Sequence, residues 1–267
     1  MSSYAITGAS KGIGREFVRQ LAADTTNTVL AIVRDPKSPN ISELASKHPN
    51  VHVIKGDVTD PKSILEAASA AAAITGGKLD VLIHNSNAVD GATMSFNPTQ
   101  MPFDAQAIRT IFDPALSTGI YGGLWTTNAF LPLIEKGVQK KIVHISSGMA
   151  DLDLINKTGI SYVVAYSIAK AGMNVQVAKY AAELAPRGIK VLALSPGWVD
   201  TSEGEKPTQV VQADRFMLKQ FQAVEPELKG QIQPEESVRK SLQVIERLDA
   251  ESSGLFLSHN GDRERWF

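Results

Sequence analysis

The sequence predicts an α/β protein with an open, doubly wound parallel sheet of seven strands and helices on both faces. Short apolar runs alternate with longer segments whose apolar residues recur about every 3.6 positions, the pattern of strands joined by helical crossovers. Runs such as Val29–Val33 are continuously apolar, as strands buried on both faces are. The predicted strands are Tyr4–Thr7, Val29–Val33, Val51–Lys55, Val81–His84, Lys141–Ser146, Lys190–Leu194 and Gly254–Ser258.

The composition excludes several classes of function. The 267 residues include no cysteine, which excludes disulfide scaffolds, cysteine-ligated metals and thiol nucleophiles. The histidines show no metal-ligand spacing, so we expect no metal. A net charge of −1 gives no general attraction to nucleic acid or anionic membranes. No apolar run reaches the ~20 residues of a membrane span, and the N-terminus lacks signal-peptide features. We expect one cytoplasmic domain over residues 1–267 that acts on a small molecule.

Three segments that follow predicted strands are expected to be loops or insertions that shape a pocket. In open parallel sheets, ligands bind beyond the carboxyl ends of the strands. The segments are Asp90–Phe103, Gly148–Ser161 and Ser202–Pro234. The third contains an amphipathic stretch with Phe216, Met217 and Phe221. This stretch suits either a substrate lid, over residues 202–233, or a surface helix packed on the core.

A glycine-rich turn follows the first predicted strand and opens a helical segment. Gly8 permits a tight turn, Gly12 allows backbone to approach a pyrophosphate, and Gly14 allows the helix to pack close to the sheet. The N-terminus of that helix would offer free N–H groups to the anion. In this strand–turn–helix setting, the motif predicts a dinucleotide site. Its residues include Gly8, Ser10, Lys11, Gly12, Ile13 and Gly14.

The end of the second strand indicates which dinucleotide binds. An NAD site is expected to place a carboxylate here, whereas this chain has Arg34, with Lys11 available from the glycine turn. Two cations near the adenosine ribose suit a 2′-phosphate, so NADP(H) is the predicted cofactor. Alternatively, Arg34 pairs with Asp35 or with solvent. Asp57 and Val58, after the third strand, are expected to bind the adenine edge.

A tyrosine and a lysine lie on one face of a predicted helix. Tyr166 and Lys170 are separated by one helical turn, and Ser147 follows the fifth strand. A free tyrosine has a pKa of ~10, and a neighbouring ammonium is expected to lower the Tyr166 pKa toward neutrality. The Ser147 hydroxyl can polarise a carbonyl oxygen. The sequence therefore predicts an acid–base centre made by these three side chains.

Over essentially its whole length, the chain resembles the short-chain dehydrogenase/reductase family. The resemblance rests on the Thr7–Gly14 turn, Asp57, Asn85, Ser147, the Tyr166–Lys170 pair and Pro196-Gly197-Trp198-Val199-Asp200-Thr201. The segment from Ser253 to Trp266 is similar to a fungal ketoreductase-like branch. The family has a Rossmann-type fold.

The resemblance also implies roles for individual residues. Tyr166 would be the general acid–base, and Lys170 would lower its pKa and hold the nicotinamide ribose. Ser147 would hydrogen-bond the carbonyl group being reduced. The remaining residues would bind the cofactor: Asn85 on its adenosine side, Val199 and Thr201 at the carboxamide, with Pro196 and Gly197 beside them. Family members often form homodimers or homotetramers, which we expect here as well.

The chain departs from the family pattern at two positions. Asn87 replaces the last glycine of Asn-Asn-Ala-Gly, and Gly119 occupies the position of a proton-relay asparagine. Three interpretations of Gly119 are open. Another group holds the relay water and reduction proceeds, or the alignment slips across Phe112–Tyr121, or the protein has left reductase chemistry for isomerisation, cyclisation or cofactor binding.

Apolar side chains predict a roomy substrate pocket. The candidates are Met94, Met149, Leu152, Tyr162, Trp198 and Phe216. The predicted function is an NADPH-dependent reductase of a bulky apolar ketone or related C=X group, with secondary metabolism as the expected setting. The alternative, raised by Gly119, is a family scaffold with a non-redox role.

Overall fold

Seven parallel strands form the sheet of the computed structural model, which describes residues 1–88 and 94–267. The strand order is β3-β2-β1-β4-β5-β6-β7, so the direction of winding reverses between β1 and β4. The bounds are β1 Ser3–Thr7, β2 Thr28–Val33, β3 Val51–Lys55, β4 Val81–His84, β5 Lys141–Ile145, β6 Lys190–Ser195 and β7 Phe256–Ser258. The predicted fold class is confirmed.

Helices cover both faces of the sheet, as right-handed crossovers between parallel strands require. Their bounds are α1 Gly12–Ala22, α2 Pro39–Lys47, α3 Pro61–Thr75, α4 Ala105–Ala115, α5 Gly122–Ile134, α6 Leu152–Thr158, α7 Val164–Leu184, α8 Thr208–Phe221 and α9 Pro234–Arg247. The helix α1 packs on α9, and α3 packs on α5.

Among the described residues, two of the apolar clusters pack against the sheet, one on each face. One holds Phe17 of α1 and Val238 of α9, and the other holds Phe130 of α5 and Val177 of α7. Each cluster also contains strand residues, which is why the strand sequences are apolar without alternation. The two layers hold the carboxyl ends of the strands in fixed positions at one edge of the sheet.

Two segments differ from the prediction. Gly148–Ser161, expected as a loop, contains the short helix α6, because the Asp151 side chain accepts from Leu154 N at 2.7 Å and caps it. Leu116–Tyr121 forms a turn of π-helix between α4 and α5, which no sequence pattern predicted. In the Asp90–Phe103 segment, residues 90–93 lie outside the described residues. No helix in the described ranges is long and apolar enough to cross a membrane.

Candidate active site

A cleft of about 1050 Å³ lies beyond the carboxyl ends of the strands. One part, here called the nucleotide half, is lined by the glycine turn, Arg34 and Asp57. The other, the substrate half, is lined by apolar side chains that include Met149 and Trp198, and Tyr166 lies between the two. The other predicted cofactor residues along the cleft are Ser10, Lys11, Ile13, Val58, Asn85, Lys170, Pro196, Gly197, Val199 and Thr201.

Backbone geometry explains the glycines of the first turn. Gly8 and Gly12 have φ of +66° and +52°, in the left-handed region that other residues adopt at a cost. Gly14 does not line the cleft, and a Cβ there would be 2.3 Å from the Gly8 carbonyl oxygen. As far as the structure describes the chain, no side chain caps α1 and no acid lies in its first turn. The first N–H groups of α1 are therefore available to an anion.

Lys11 and Arg34 are both exposed on the nucleotide half. None of the ion pairs found among the described residues includes either cation. Asp35 is engaged elsewhere, since its Oδ1 accepts from Lys37 N at 2.9 Å. Pairing of Arg34 with Asp35, the alternative left open by the sequence, is not what the structure shows.

A buried polar cluster braces the glycine turn against β4. Asn85 Nδ2 donates to Thr7 O at 3.2 Å and Gly8 O at 3.3 Å. Thr7 Oγ1 accepts from Asn85 N and Ser86 N, both at 3.1 Å, and lies 3.4 Å from His84 Nδ1. Since Thr7 Oγ1 already accepts twice, its proton points to His84 Nδ1, which makes Nε2 the protonated nitrogen. Asn85 therefore shapes the turn through its amide.

The second nitrogen of His84 connects this cluster to the π-helix. His84 Nε2 lies 3.3 Å from Thr118 O. Burial, followed by the interactions with His144 and Lys170, holds the pKa of His84 well below its usual value, so the ring is neutral near pH 7. Sequence reasoning missed this positioning role. The available signal was a histidine at the end of an otherwise apolar buried strand.

The three predicted catalytic side chains meet in the middle of the cleft. On α7, Lys170 is buried and Tyr166 is partly buried, and Lys170 Nζ lies 5.7 Å from the centre of the Tyr166 ring. Lys170 Nζ donates to Ile145 O at 2.7 Å, which anchors it to the end of β5. Ser147 begins the turn after β5, and its Oγ accepts from Met149 N at 3.2 Å.

Burial controls the acid–base properties of this centre. It raises the pKa of the Tyr166 phenol, and interaction with the Ser147 hydroxyl offsets part of the rise. It also lowers the pKa of Lys170 to about 7. The net shift of the Tyr166 pKa is therefore upward, opposite in direction to the lowering that the sequence predicts from Lys170. Tyr166 is a protonated group at neutral pH.

Gly119 lies buried in the π-helix beside α7. A Cβ there would be 3.6 Å from Met173 Cε and 3.9 Å from Ala169 Cβ, both ordinary contact distances. The carbonyl groups on either side are held by side chains, since Thr118 O faces His84 and Ile120 O accepts from Gln176 Nε2 at 3.1 Å. Close packing therefore does not explain the glycine.

The predicted pocket residues divide into two groups. Met94, Met149 and Trp198 line the substrate half. Leu152, Tyr162 and Phe216 do not line it in this structure, which leaves their predicted place in the substrate pocket without support from the cleft. Leu152 is 73% exposed at the start of α6, because capping of the helix by Asp151 turns that side chain to solvent.

Tyr162 and Phe216 pack on each other instead, with ring centres 6.1 Å apart, and Tyr162 Oη donates to Gln220 Oε1 at 2.7 Å. The side chains that take their places in the cleft come from α8 and from the segment after β7. They are Met217, Phe221, Trp266 and Phe267.

The family model described as short chain dehydrogenase matches residues 3–210. The chain belongs to the short-chain dehydrogenase/reductase family. It is 44% identical to the short-chain dehydrogenase/reductase atnB of Arthrinium sp. over 263 residues, 98% of each chain. It is 40% identical to AacuF of Aspergillus aculeatus over 266 residues, 99% of each chain. The predicted family is confirmed, and the protein is an oxidoreductase of this family.

Solved structures of the family have the same architecture. A carbonyl reductase from chicken fatty liver, crystallised with NADPH, has a TM-score of 0.80 at 28% identity. The match covers 100% of this chain and 99% of that one. The carbonyl reductase Sniffer of D. melanogaster has a TM-score of 0.78 at 20% identity and is covered completely, a likeness that shows the fold.

Proposed function

We propose that this short-chain dehydrogenase/reductase is an NADP(H)-dependent reductase of a bulky apolar ketone or related C=X group. One observation carries the proposal. The side chains of Ser147, Tyr166 and Lys170 reach the same cleft as an uncapped helix N-terminus and two cations without ion-pair partners among the described residues. The likeness to an NADPH-bound carbonyl reductase supports it.

The nucleotide half fits a phosphorylated dinucleotide. A Cβ on Gly12 would lie 3.3 Å from Thr201, so a side chain there would fill the space between turn and loop. The N–H groups of α1 would bind the pyrophosphate, while Arg34 and Lys11 would bind the 2′-phosphate. Asp57 would bind the adenine edge, and the other predicted cofactor residues along the cleft complete the proposed site.

Bound NADPH would supply a hydride to the carbonyl carbon. Tyr166 would donate its hydroxyl proton to the carbonyl oxygen, so that the ketone becomes an alcohol. The raised pKa of Tyr166 keeps that proton in place at neutral pH. Ser147 Oγ would donate a hydrogen bond to the same oxygen. Lys170, with its pKa near 7, would return a proton to the phenolate.

Gly119 favours a second candidate, in which the scaffold binds the cofactor but performs isomerisation or cyclisation. No side chain at position 119 can hold a relay water, and the glycine is not required by packing. In that case the true substrate would be converted with no net change in NADPH.

The deciding experiment measures NADPH absorbance with a panel of ketones. Tyr166→Phe removes the proton donor and is expected to lower kcat by ~100-fold or more. Tyr121→Phe is the matched control, since the Tyr121 side chain is 46% exposed and does not line the cleft, so the variant should keep activity. Conversion of a substrate without NADPH oxidation would contradict the reductase and support the second candidate.

Arg34→Asp tests the proposed cofactor. Loss of a charge-assisted contact with the 2′-phosphate should raise the Kd for NADPH by about 10- to 100-fold, with little change for NADH. Calorimetric titration of both cofactors measures this. An unchanged preference for NADPH would mean that Arg34 does not bind the phosphate.

We further propose that residues 1–267 act as one domain and that residues 202–233, which contain α8, form a lid over the substrate half. Met217 and Phe221 of α8 line the cleft, which supports the lid. The cytoplasmic location, the assembly of two or four copies and the role in secondary metabolism stay predictions.

A further inference from the structure

Aromatic rings from three distant segments converge on the substrate half. Trp198 follows β6, Phe221 ends α8, and Trp266 and Phe267 follow β7. The rings of Trp198 and Phe221 meet edge to face at 5.0 Å, and those of Phe221 and Phe267 lie 4.1 Å apart. These four side chains are called here the aromatic wall.

A hydrogen-bonded turn after β7 holds two of these rings in the cleft. Asp262 accepts from the backbone N–H groups of Glu264 and Arg265. Asn260 Nδ2 donates to Arg265 O at 3.2 Å and to Phe267 O at 3.4 Å. The turn therefore orders the backbone on both sides of Trp266 and positions both rings.

The wall lies next to the reacting centre. Gly148 directly follows Ser147, and a Cβ on Gly148 would lie 3.3 Å from Trp266 Cβ. Trp266 is 4% exposed and stacks on Phe256 at 4.6 Å, which fixes its ring. A carbonyl group bound at Ser147 would therefore place its attached carbon skeleton beside the wall.

The chemistry of the lining selects for an uncharged ligand. The thioethers of Met94, Met149 and Met217 supply polarisable surface that makes favourable contacts with aromatic rings. Of the described side chains that line the substrate half, only that of Asp214 is charged, apart from Lys170 at the boundary of the two halves, and the Asp214 carboxylate binds Lys206 Nζ at 2.8 Å. An anionic or cationic substrate would find no free partner among them.

We infer that the substrate is a planar, uncharged ketone whose carbonyl is fused to or conjugated with an aromatic ring, and that Phe267 is a specificity-determining residue for it. The inference rests on the proposed function, because it places the carbonyl at Ser147 and Tyr166. Its physical reason is that ring faces and edges pack best on other rings, whereas a saturated, puckered skeleton does not stack.

The test uses two ketones with the same bicyclic carbon skeleton, 1-tetralone, which contains an aromatic ring, and 1-decalone, which is saturated. The wild-type protein is expected to favour 1-tetralone by about tenfold in kcat/KM. Phe267→Leu should reduce this ratio toward one, and Phe267→Tyr, which keeps the ring, should retain it. The matched control is Phe103→Leu, since the Phe103 side chain is fully exposed.

A second readout separates this inference from the proposed function. The Kd of each ketone is measured by calorimetry on protein saturated with NADP⁺, where no reduction occurs. Tighter binding of 1-tetralone than of 1-decalone, lost in Phe267→Leu, would support the aromatic wall. This holds even if neither ketone is reduced by NADPH, because absence of reduction contradicts only the proposed reductase activity. Equal Kd values for both ketones, or no binding of either, would overturn the inference that the substrate is a planar aromatic ketone. A ratio unchanged in Phe267→Leu would overturn the role of Phe267.

Discussion

The two halves of the cleft are built in different ways. The nucleotide half consists largely of backbone at the ends of strands, where the turn after β1 leads into α1. The substrate half combines side chains such as Met149 and Trp198 with others carried by α8 and by the segment after β7, all far apart in the sequence. A backbone site is determined by local geometry, whereas a side-chain wall depends on how separate segments pack together.

The largest expected effect is on the pH dependence of stability and comes from Lys170, which lies between the two halves of the cleft. Its pKa of about 7 in the folded protein is below the 10.5 of an exposed lysine. Between these values the unfolded chain binds more protons, so stability rises with pH, by up to ~1.4 kcal/mol per pH unit. Lys170→Met should remove this dependence. Denaturant unfolding of both proteins from pH 7 to 10 measures it, and parallel curves would contradict a depressed lysine pKa.

Gly14→Ala tests the backbone character of the nucleotide half. The added Cβ would meet the Gly8 carbonyl oxygen at 2.3 Å, so the turn must shift. We expect the free energy of unfolding to fall by ~2–3 kcal/mol and NADPH binding to weaken at least tenfold. Gly76→Ala is the control, because its Cβ meets nothing within 4 Å and only its φ of +65° is strained. Unchanged NADPH binding in Gly14→Ala would contradict the claim that backbone geometry forms the nucleotide half.

Lys206→Met tests how the proposed lid is held. Lys206 Nζ lies 3.1 Å from Asp200 and 2.8 Å from Asp214 of α8, and also bonds Gln231. Because these groups are partly exposed, the loss in stability should be only ~0.5–1 kcal/mol. The KM for the ketone should rise severalfold while the Kd for NADPH stays constant. The control is Lys47→Met, which breaks an exposed pair with Glu43. Equal effects on ketone and cofactor would contradict a lid confined to the substrate half.

Gly119→Ala should have the smallest effect. The added methyl group meets Met173 and Ala169 at contact distance, and alanine favours helical backbone by ~1 kcal/mol over glycine. We expect unchanged kcat and stability equal to or slightly above that of the wild type, measured by NADPH oxidation and thermal unfolding. A fall in kcat with intact stability would show that the space beside Gly119 is used in the reaction.

Short-range patterns predicted much of the fold and of the nucleotide half. The glycine spacing from Gly8 to Gly14 and the helical interval between Tyr166 and Lys170 are local, so the sequence alone indicates them. The pocket side chains were harder to predict. Leu152 was expected in the cleft and is exposed, while Phe267 was not expected and lines it, because hydrophobicity does not indicate the direction in which a side chain points.

The sequence by itself determined the parallel sheet, the turn after β1 and the residues that meet at its carboxyl edge. These follow from the apolar pattern of strands and from the conformational freedom of glycine. Only the tertiary structure decided the directions of the Tyr166 and Lys170 pKa shifts, since burial is the largest cause of both. It also decided the aromatic wall, because packing between segments distant in sequence brings Trp198, Phe221 and Phe267 together.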